Sequence, residues 1–207
     1  MGWFWLFFLA VPVVFAGMYR RVRRYPFSAA VTLSCAGISF LGGAAVLGLG
    51  LVFSALGDWF LQHERGREAF FLSGVAGFFL GHCCFAAHSV LSAGFSWTSL
   101  LIFAVLFTGV SFFLLRRVWR GIDRSFRIPV VLYAGISCFS LSCALFSFSS
   151  AVPRVVFAAG IAMLLFSDCV IALSRFGRVK KIGSLIMPTY FACHILTAAA
   201  CMLETIL

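Results

Sequence analysis

Long apolar stretches alternate along this chain with short segments rich in arginine. The apolar stretches lack the period-two alternation of barrel strands, and most approach the roughly 20 residues that a helix needs to cross a bilayer. Their limits predict eight helices, at residues 3–18, 27–42, 44–61, 69–91, 97–116, 129–147, 153–174 and 183–206. We therefore expect an all-α, polytopic membrane protein in which residues 1–207 form a single bundle of about eight transmembrane helices.

Composition points to the same environment. Hydrophobic residues make up 63% of the 207 positions and charged residues only 11%, with a mean hydropathy of +1.09. A soluble domain has roughly 25% charged residues, so the solvent of this chain is largely lipid. All eight cysteines lie inside apolar stretches and none forms a C-x-x-C motif, so they are expected to pack as small hydrophobes.

The net charge of +10 is concentrated between the predicted helices. All of the 16 basic residues except Arg154 fall near residues 20–24, 65–67, 116–127 and 175–181. This spacing is typical of cytoplasmic loops, so both termini are predicted on the non-cytoplasmic side and no nucleic-acid partner is needed to explain the charge. The membrane would be the inner membrane of a bacterium or the endoplasmic reticulum of a eukaryote.

The two halves of the chain share short similarities. Met18–Pro26 resembles Leu115–Arg120, and Leu56-Gly-Asp58 is echoed by Phe166-Ser-Asp168. Four helices per half would give two parallel repeats, although chance similarity between basic loops explains these segments equally well.

Asp58 and Asp168 are the acidic residues predicted to lie inside helices. A carboxylate in a transmembrane helix costs at least a few kcal/mol and usually faces a cavity or a partner. Both lie four to seven residues before a basic loop, or roughly 6–10 Å deep at 1.5 Å per residue. Their matching depth predicts a shared pocket, and the structural alternative is that each caps a neighbouring helix or meets a loop arginine.

Other polar residues lie in the apolar stretches. His82 lies beside Gly74, Gly77 and Gly81, a spacing that lets another helix approach closely. His88 is six residues further on, roughly 240° around the helix, and no zinc-binding spacing occurs, so no metal site is predicted.

Two predicted helices each carry a stripe of polar residues along one face. Their spacing is i, i+4, i+7 on helix 6 and i, i+4, i+7, i+11 on helix 8. The members are Tyr133, Ser137 and Ser140 on helix 6, and Tyr190, His194, Thr197 and Cys201 on helix 8. The hydroxyls are expected to join helices, while the two tyrosines, at the depth of the aspartates, can orient a carboxylate or a substrate oxygen.

Several of these segments together resemble the YhhN family of lysoplasmalogenases. The resemblance covers roughly residues 27–205 and rests on the order and spacing of five segments: Ser54–Leu61, Phe71–His82, Leu132–Ala134, Ala159–Asp168 and Met187–Ala192. After the last segment the family usually has glutamine, whereas this chain has Cys193-His194.

The resemblance implies an integral membrane enzyme, an ether hydrolase that cleaves the vinyl ether of lysoplasmalogens to a fatty aldehyde and a glycerophospho-base. Such cleavage needs a proton donor for the β-carbon and a negative group beside the resulting cation. Asp58 and Asp168 would supply these roles, in an order that the sequence leaves open. His82, Tyr133, Ser167, Tyr190 and His194 would bind substrate or water. The implied partners are lysophospholipid, water and membrane lipid, and no metal or organic cofactor is required.

A transporter or ion-coupled carrier is the alternative function, because intramembrane acids, repeats and glycine-rich helices are typical of that class too.

Overall fold

The structure, a computed structural model, describes residues 8–22, 25–177 and 179–207. Within these ranges the regular structure is helical throughout. The α-helices are Ala10–Val22 (α1), Tyr25–Leu41 (α2), Ala45–Gln62 (α3), Glu68–Ala93 (α4), Trp97–Arg117 (α5), Arg124–Ala144 (α6), Ala151–Arg175 (α7) and Ile186–Ile206 (α8). Short 3-10 segments, Trp119–Gly121 and Lys180–Leu185, precede α6 and α8.

The predicted polytopic helical bundle is confirmed. Six of the described helices, α3 to α8, are long and apolar enough to cross a membrane, and α2 is shorter but equally apolar. The predicted first helix begins at residue 3, and its residues 3–7 lie outside the described ranges.

Two predicted helix starts are wrong. Helix 6 begins at Arg124 rather than at residue 129, so Pro129 lies inside it, past the first turn where a missing N–H costs nothing. It ends at Ala144, three residues before the predicted end at residue 147. Helix 8 begins as an α-helix at Ile186 rather than 183, because the residues before it form the second 3-10 segment.

Six helices form a closed ring in the order α2, α3, α4, α6, α7, α8, while α1 packs outside α2 and α5 outside α6. The two halves, α1–α4 and α5–α8, therefore have matching contacts. In each half the third and fourth helices pack most extensively, and the fourth helix meets the second helix of the other half. This is the arrangement expected of two parallel four-helix repeats.

Glycines bring α3 and α4 into backbone contact. A Cβ on Gly77 would lie 2.9 Å from the Cα of Gly57, and one on Gly81 would lie 3.1 Å from the carbonyl oxygen of Gly50. Close approach through small residues is a common way for helices to associate in lipid. The contact fixes the rotation of α4, which turns Phe78 and His82 toward the interior of the ring.

The helices alternate in direction, so the loops around residues 63–67, 118–123 and 176–185 lie at the same end of the bundle. We call this the basic end, because most arginines lie there. Asp58 and Asp168 both lie on helices that run toward it.

We expect Gly77→Ala to destabilise the bundle by about 1–3 kcal/mol, because its new Cβ would meet only backbone atoms. The midpoint of thermal unfolding in detergent measures this. The matched control is Gly109→Ala on α5, where an added Cβ meets nothing within 4 Å. Equal midpoints for the two variants would contradict the α3–α4 contact.

Candidate active site

A carboxyl–imidazole pair joins α7 to α4 inside the ring. The Nε2 atom of His82 lies 3.2 Å from Oδ2 of Asp168. The His82 side chain is fully buried, and that of Asp168 is 12% exposed. The pair therefore lies in an environment of low dielectric, where it is strong only if its remaining polar atoms are also satisfied.

Two serines of α6 satisfy those atoms. The Ser140 hydroxyl lies 2.8 Å from Nδ1 of His82, and the Ser137 hydroxyl lies 3.2 Å from Nε2 and 3.5 Å from Oδ2 of Asp168. Ser140 can instead donate to the backbone carbonyl of Ser137, 3.3 Å away.

The geometry accommodates two proton arrangements. With Asp168 ionised, Nε2–H of His82 donates to the carboxylate and Ser140 donates to Nδ1. With Asp168 protonated, the carboxyl donates to Nε2, Nδ1–H donates to Ser140, and Ser140 donates to the Ser137 carbonyl. The pair can therefore keep its hydrogen bonds whether or not Asp168 carries a proton.

Asp168 lines a largely apolar, half-enclosed pocket, whose empty space is about 750 Å³ when the open solvent at its mouth is counted. Its walls come from α3 to α7, and the polar side chains among them are Asp168, Tyr133 and Ser137. The remaining lining includes Phe71, Phe78, Phe126 and Phe176, together with aliphatic residues.

Tyr133 lies beside the pair and lines the pocket together with Asp168. Its ring packs edge-on against His82 with centroids 5.6 Å apart, and its phenol interacts with the Asp168 carboxyl. Tyr133, His82 and Asp168, which the sequence singled out on three separate helices, are thus brought together.

Asp58 belongs to a neighbouring polar cluster instead. It is 7% exposed and its carboxyl lies near the phenol of Tyr190, which donates to the Ser54 carbonyl at 3.3 Å. Oδ2 of Asp58 has no hydrogen-bond partner among the described residues. Asp58 does not line the pocket of Asp168. The expectation that the two carboxylates share one pocket is therefore wrong, because the rotation of α3 directs Asp58 toward α8.

His194 packs against Tyr190 of this second cluster. Its ring is 4.2 Å from that of Tyr190, it is fully buried, and neither ring nitrogen has a hydrogen-bond partner among the described residues. Phe78 connects the two clusters, because it lines the pocket and packs edge-on against Tyr190 with centroids 5.8 Å apart.

The profile of the YhhN family matches residues 21–201, which include both polar clusters. The chain belongs to the YhhN family. No curated protein and no solved structure matched it.

Ser167 of this YhhN protein faces away from the pocket. It is buried, and its hydroxyl donates to the backbone carbonyl of Ile186 at 3.2 Å, which ties α7 to the start of α8. Ser167 is thus not part of the pocket wall, although its neighbour Asp168 is.

Sequence reasoning missed the aromatic end of the pocket. Phe71, Phe126 and Phe176 line it at the basic end. The centroid of the Phe71 ring lies 5.5 Å from that of Phe126 and 6.2 Å from that of Phe176. With 26 phenylalanines in the chain, nothing in the sequence distinguishes these three.

Among the described parts of the YhhN protein, no three His, Cys, Asp or Glu side chains lie close enough together to hold a metal ion.

The two-cluster description predicts which substitutions interact. His82→Gln and Asp168→Asn should show a coupling free energy of about 0.5–3 kcal/mol in a double-mutant cycle, because each removes the other's partner. His82→Gln and Asp58→Asn should instead add within about 0.5 kcal/mol. Thermal or denaturant unfolding in detergent measures both cycles. A larger coupling for the second pair would mean that Asp58, not Asp168, is the partner of His82.

Proposed function

We propose that this YhhN protein is a lysoplasmalogenase, a membrane hydrolase that cleaves the vinyl ether of a lysoplasmalogen to a fatty aldehyde and a glycerophospho-base. The supporting observation is the hydrogen-bonded His82–Asp168 pair in the wall of an apolar pocket. A vinyl ether attached to an aliphatic chain needs a proton donor and an apolar surface, and this pocket offers both.

Protonated Asp168 is the general acid in this proposal. Its proton is transferred to the β-carbon of the vinyl ether, and the double-bond electrons form the new C–H bond, which leaves an oxocarbenium ion at the α-carbon. The ionised carboxylate then lies beside the cation and stabilises it.

The same carboxylate serves as the base in the second step. Water adds to the α-carbon and gives its proton to Asp168, which forms a hemiacetal. The hemiacetal then breaks its C–O bond to the glycerol, and the glycerol oxygen takes the hydroxyl proton. The products are the aldehyde and the alcohol, one water is consumed, and the carboxyl regains its starting proton.

His82 and the serines keep Asp168 ready for both steps. In this proposal the acid proton is on Oδ1 of Asp168, while Oδ2 accepts from Nε2–H of His82 in both protonation states. Asp168 can then alternate between acid and base without a change of histidine tautomer. Tyr133, beside both, positions the ether oxygen or the water.

Asp58 has a supporting role in this proposal. It does not line the pocket, but its carboxyl interacts with Tyr190, which packs on Phe78 in the pocket wall. Asp58, Tyr190 and His194 therefore hold one wall of the pocket rather than touch the reacting atoms.

The basic end faces the cytoplasm in this proposal, so that substrate enters from the cytoplasmic leaflet of a bacterial inner membrane or of the endoplasmic reticulum.

An ion-coupled carrier is the second candidate, and the matching contacts of the two four-helix halves favour it. Proton-coupled flux into liposomes, abolished by Asp58→Asn together with Asp168→Asn, would support the carrier.

We expect purified protein to release aldehyde from a lysoplasmalogen, and Asp168→Asn to lower kcat by about 10²-fold or more. Asp58→Asn should lower it by less than about 10-fold, because Asp58 acts through the pocket wall. The saturated alkyl-ether analogue, which has no vinyl ether, is the substrate control. No aldehyde above that of the double variant would overturn the hydrolase proposal, and a greater loss with Asp58→Asn would overturn the assignment of the acid.

A further inference from the structure

Arg175 lies at the basic end of the Asp168 pocket. Its guanidinium carbon is 3.7 Å from the centroid of the Phe71 ring and 5.9 Å from that of Phe176. Both phenylalanines line the pocket. The guanidinium does not itself line the cavity, but it stacks on two phenylalanines that do, where it gains cation–π attraction and a fixed orientation.

Glu64 holds this guanidinium from the α3–α4 loop. Both terminal nitrogens of Arg175 donate to the two carboxylate oxygens, one of them at 2.9 Å. The Arg175 side chain remains 37% exposed and that of Glu64 17% exposed. The fork of the guanidinium is therefore aligned for a two-oxygen anion while solvent can still reach it.

The positive-inside rule explains why arginines lie at this end, but it does not require one to stack on phenylalanines that line a pocket. Arg116 can be compared with Arg175. Its guanidinium carbon also lies over a phenylalanine, 4.2 Å from the Phe112 centroid, but Phe112 does not line the pocket.

Asp168 and Arg175 are in register on one helix. They are seven residues apart on α7, so they lie on nearly the same face with an axial separation of about 10 Å. In a lysoplasmalogen, seven bonds separate the vinyl β-carbon from the phosphorus. An extended chain advances roughly 1.2 Å per bond, which gives a span of about 8 Å. With a hydrogen bond at the phosphate end, that span is close to the axial separation of the two residues along α7.

We propose that Arg175 binds the phosphate of the lysophospholipid headgroup, and that Glu64 occupies the guanidinium until the phosphate replaces it. This inference rests on the proposed function. It places the headgroup at the basic end and the alkenyl chain along the apolar wall past Asp168, so that the charged part of the lipid stays at the membrane surface.

The test measures binding without turnover. The ligand is a saturated 1-O-alkyl lysophospholipid, which cannot be hydrolysed as a vinyl ether, and the comparison ligand is the corresponding 1-O-alkylglycerol, which has no phosphate. Arg175→Gln should raise the Kd for the lysophospholipid about 10- to 100-fold, the range expected for a hydrogen-bonded charge pair, and leave that for the alkylglycerol unchanged. Arg116→Gln, the matched control, should change neither.

Glu64→Gln separates a phosphate-binding role from a structural one. It breaks the same ion pair as Arg175→Gln but keeps the guanidinium, so the lysophospholipid should bind several-fold more tightly. If both variants weaken binding of both ligands equally, Arg175 has only a structural role and the proposal is overturned. If Arg175→Gln does not fold, Arg175→Lys, which keeps the charge but loses the fork, should raise the lysophospholipid Kd several-fold with no change for the alkylglycerol; no change for either ligand would overturn the proposal.

A further binding measurement, with inorganic phosphate as the ligand, distinguishes a site for a lipid phosphate from a site for free phosphate. Inorganic phosphate should bind far more weakly than the alkyl lysophospholipid, and equal Arg175-dependent binding of both would overturn the lipid assignment. Because these measurements need no catalysis, they are independent of the aldehyde assay. Arg175-dependent binding without aldehyde release would contradict only the hydrolase proposal. Aldehyde release without Arg175-dependent binding would contradict only the proposed phosphate site.

Discussion

The need of a buried carboxylate for hydrogen-bond partners governs the interior of this bundle, because no water is at hand inside a lipid-surrounded ring. Not every buried polar atom has a partner among the described residues: Oδ2 of Asp58 and both ring nitrogens of His194 have none. Asp168, His82, Ser137 and Ser140 meet this need with side chains from α7, α4 and α6. Their hydrogen bonds fix these three helices relative to one another, and the pocket wall is formed by the same segments. Removing one partner would therefore affect packing as well as chemistry.

Hydropathy predicted the helices closely because the bilayer imposes a length and a composition on each of them. The predicted helix boundaries are wrong where local backbone chemistry, rather than hydropathy, decides where a helix begins. Pro129 is a good first residue of a helix, but in α6 it lies further in, since the helix already begins at Arg124. The predicted start of α8 is three residues too early because residues 183–185 are uncharged like the helix that follows but form the end of the 3-10 segment.

The candidate site was predictable only as far as one helix determines it. The stripe of Tyr133, Ser137 and Ser140 follows from helical periodicity, and the structure brings it to His82 and Asp168. Which helix each carboxylate faces depends on rotations set by contacts such as Gly57 with Gly77, and periodicity carries no information about them. The Glu64–Arg175 pair joins the α3–α4 loop to the end of α7, 111 residues further along the chain, so helical periodicity could not predict it either.

The two halves of the ring share a scaffold but differ in chemistry. Each carries an aspartate on its third helix and an aromatic residue with a histidine four positions later on its fourth: Phe78 and His82 on α4, Tyr190 and His194 on α8. The outer helices break the symmetry. In the first half, α1 leans toward α8, and Tyr19 packs edge-on against Phe191 with ring centroids 5.3 Å apart. In the second half, α5 reaches α7, and Val110 and Leu114 form only a wall of the cavity. A pocket is therefore present beside Asp168, whereas Asp58 lies away from it next to packed rings, and this difference in outer packing gives two similar carboxylates different surroundings.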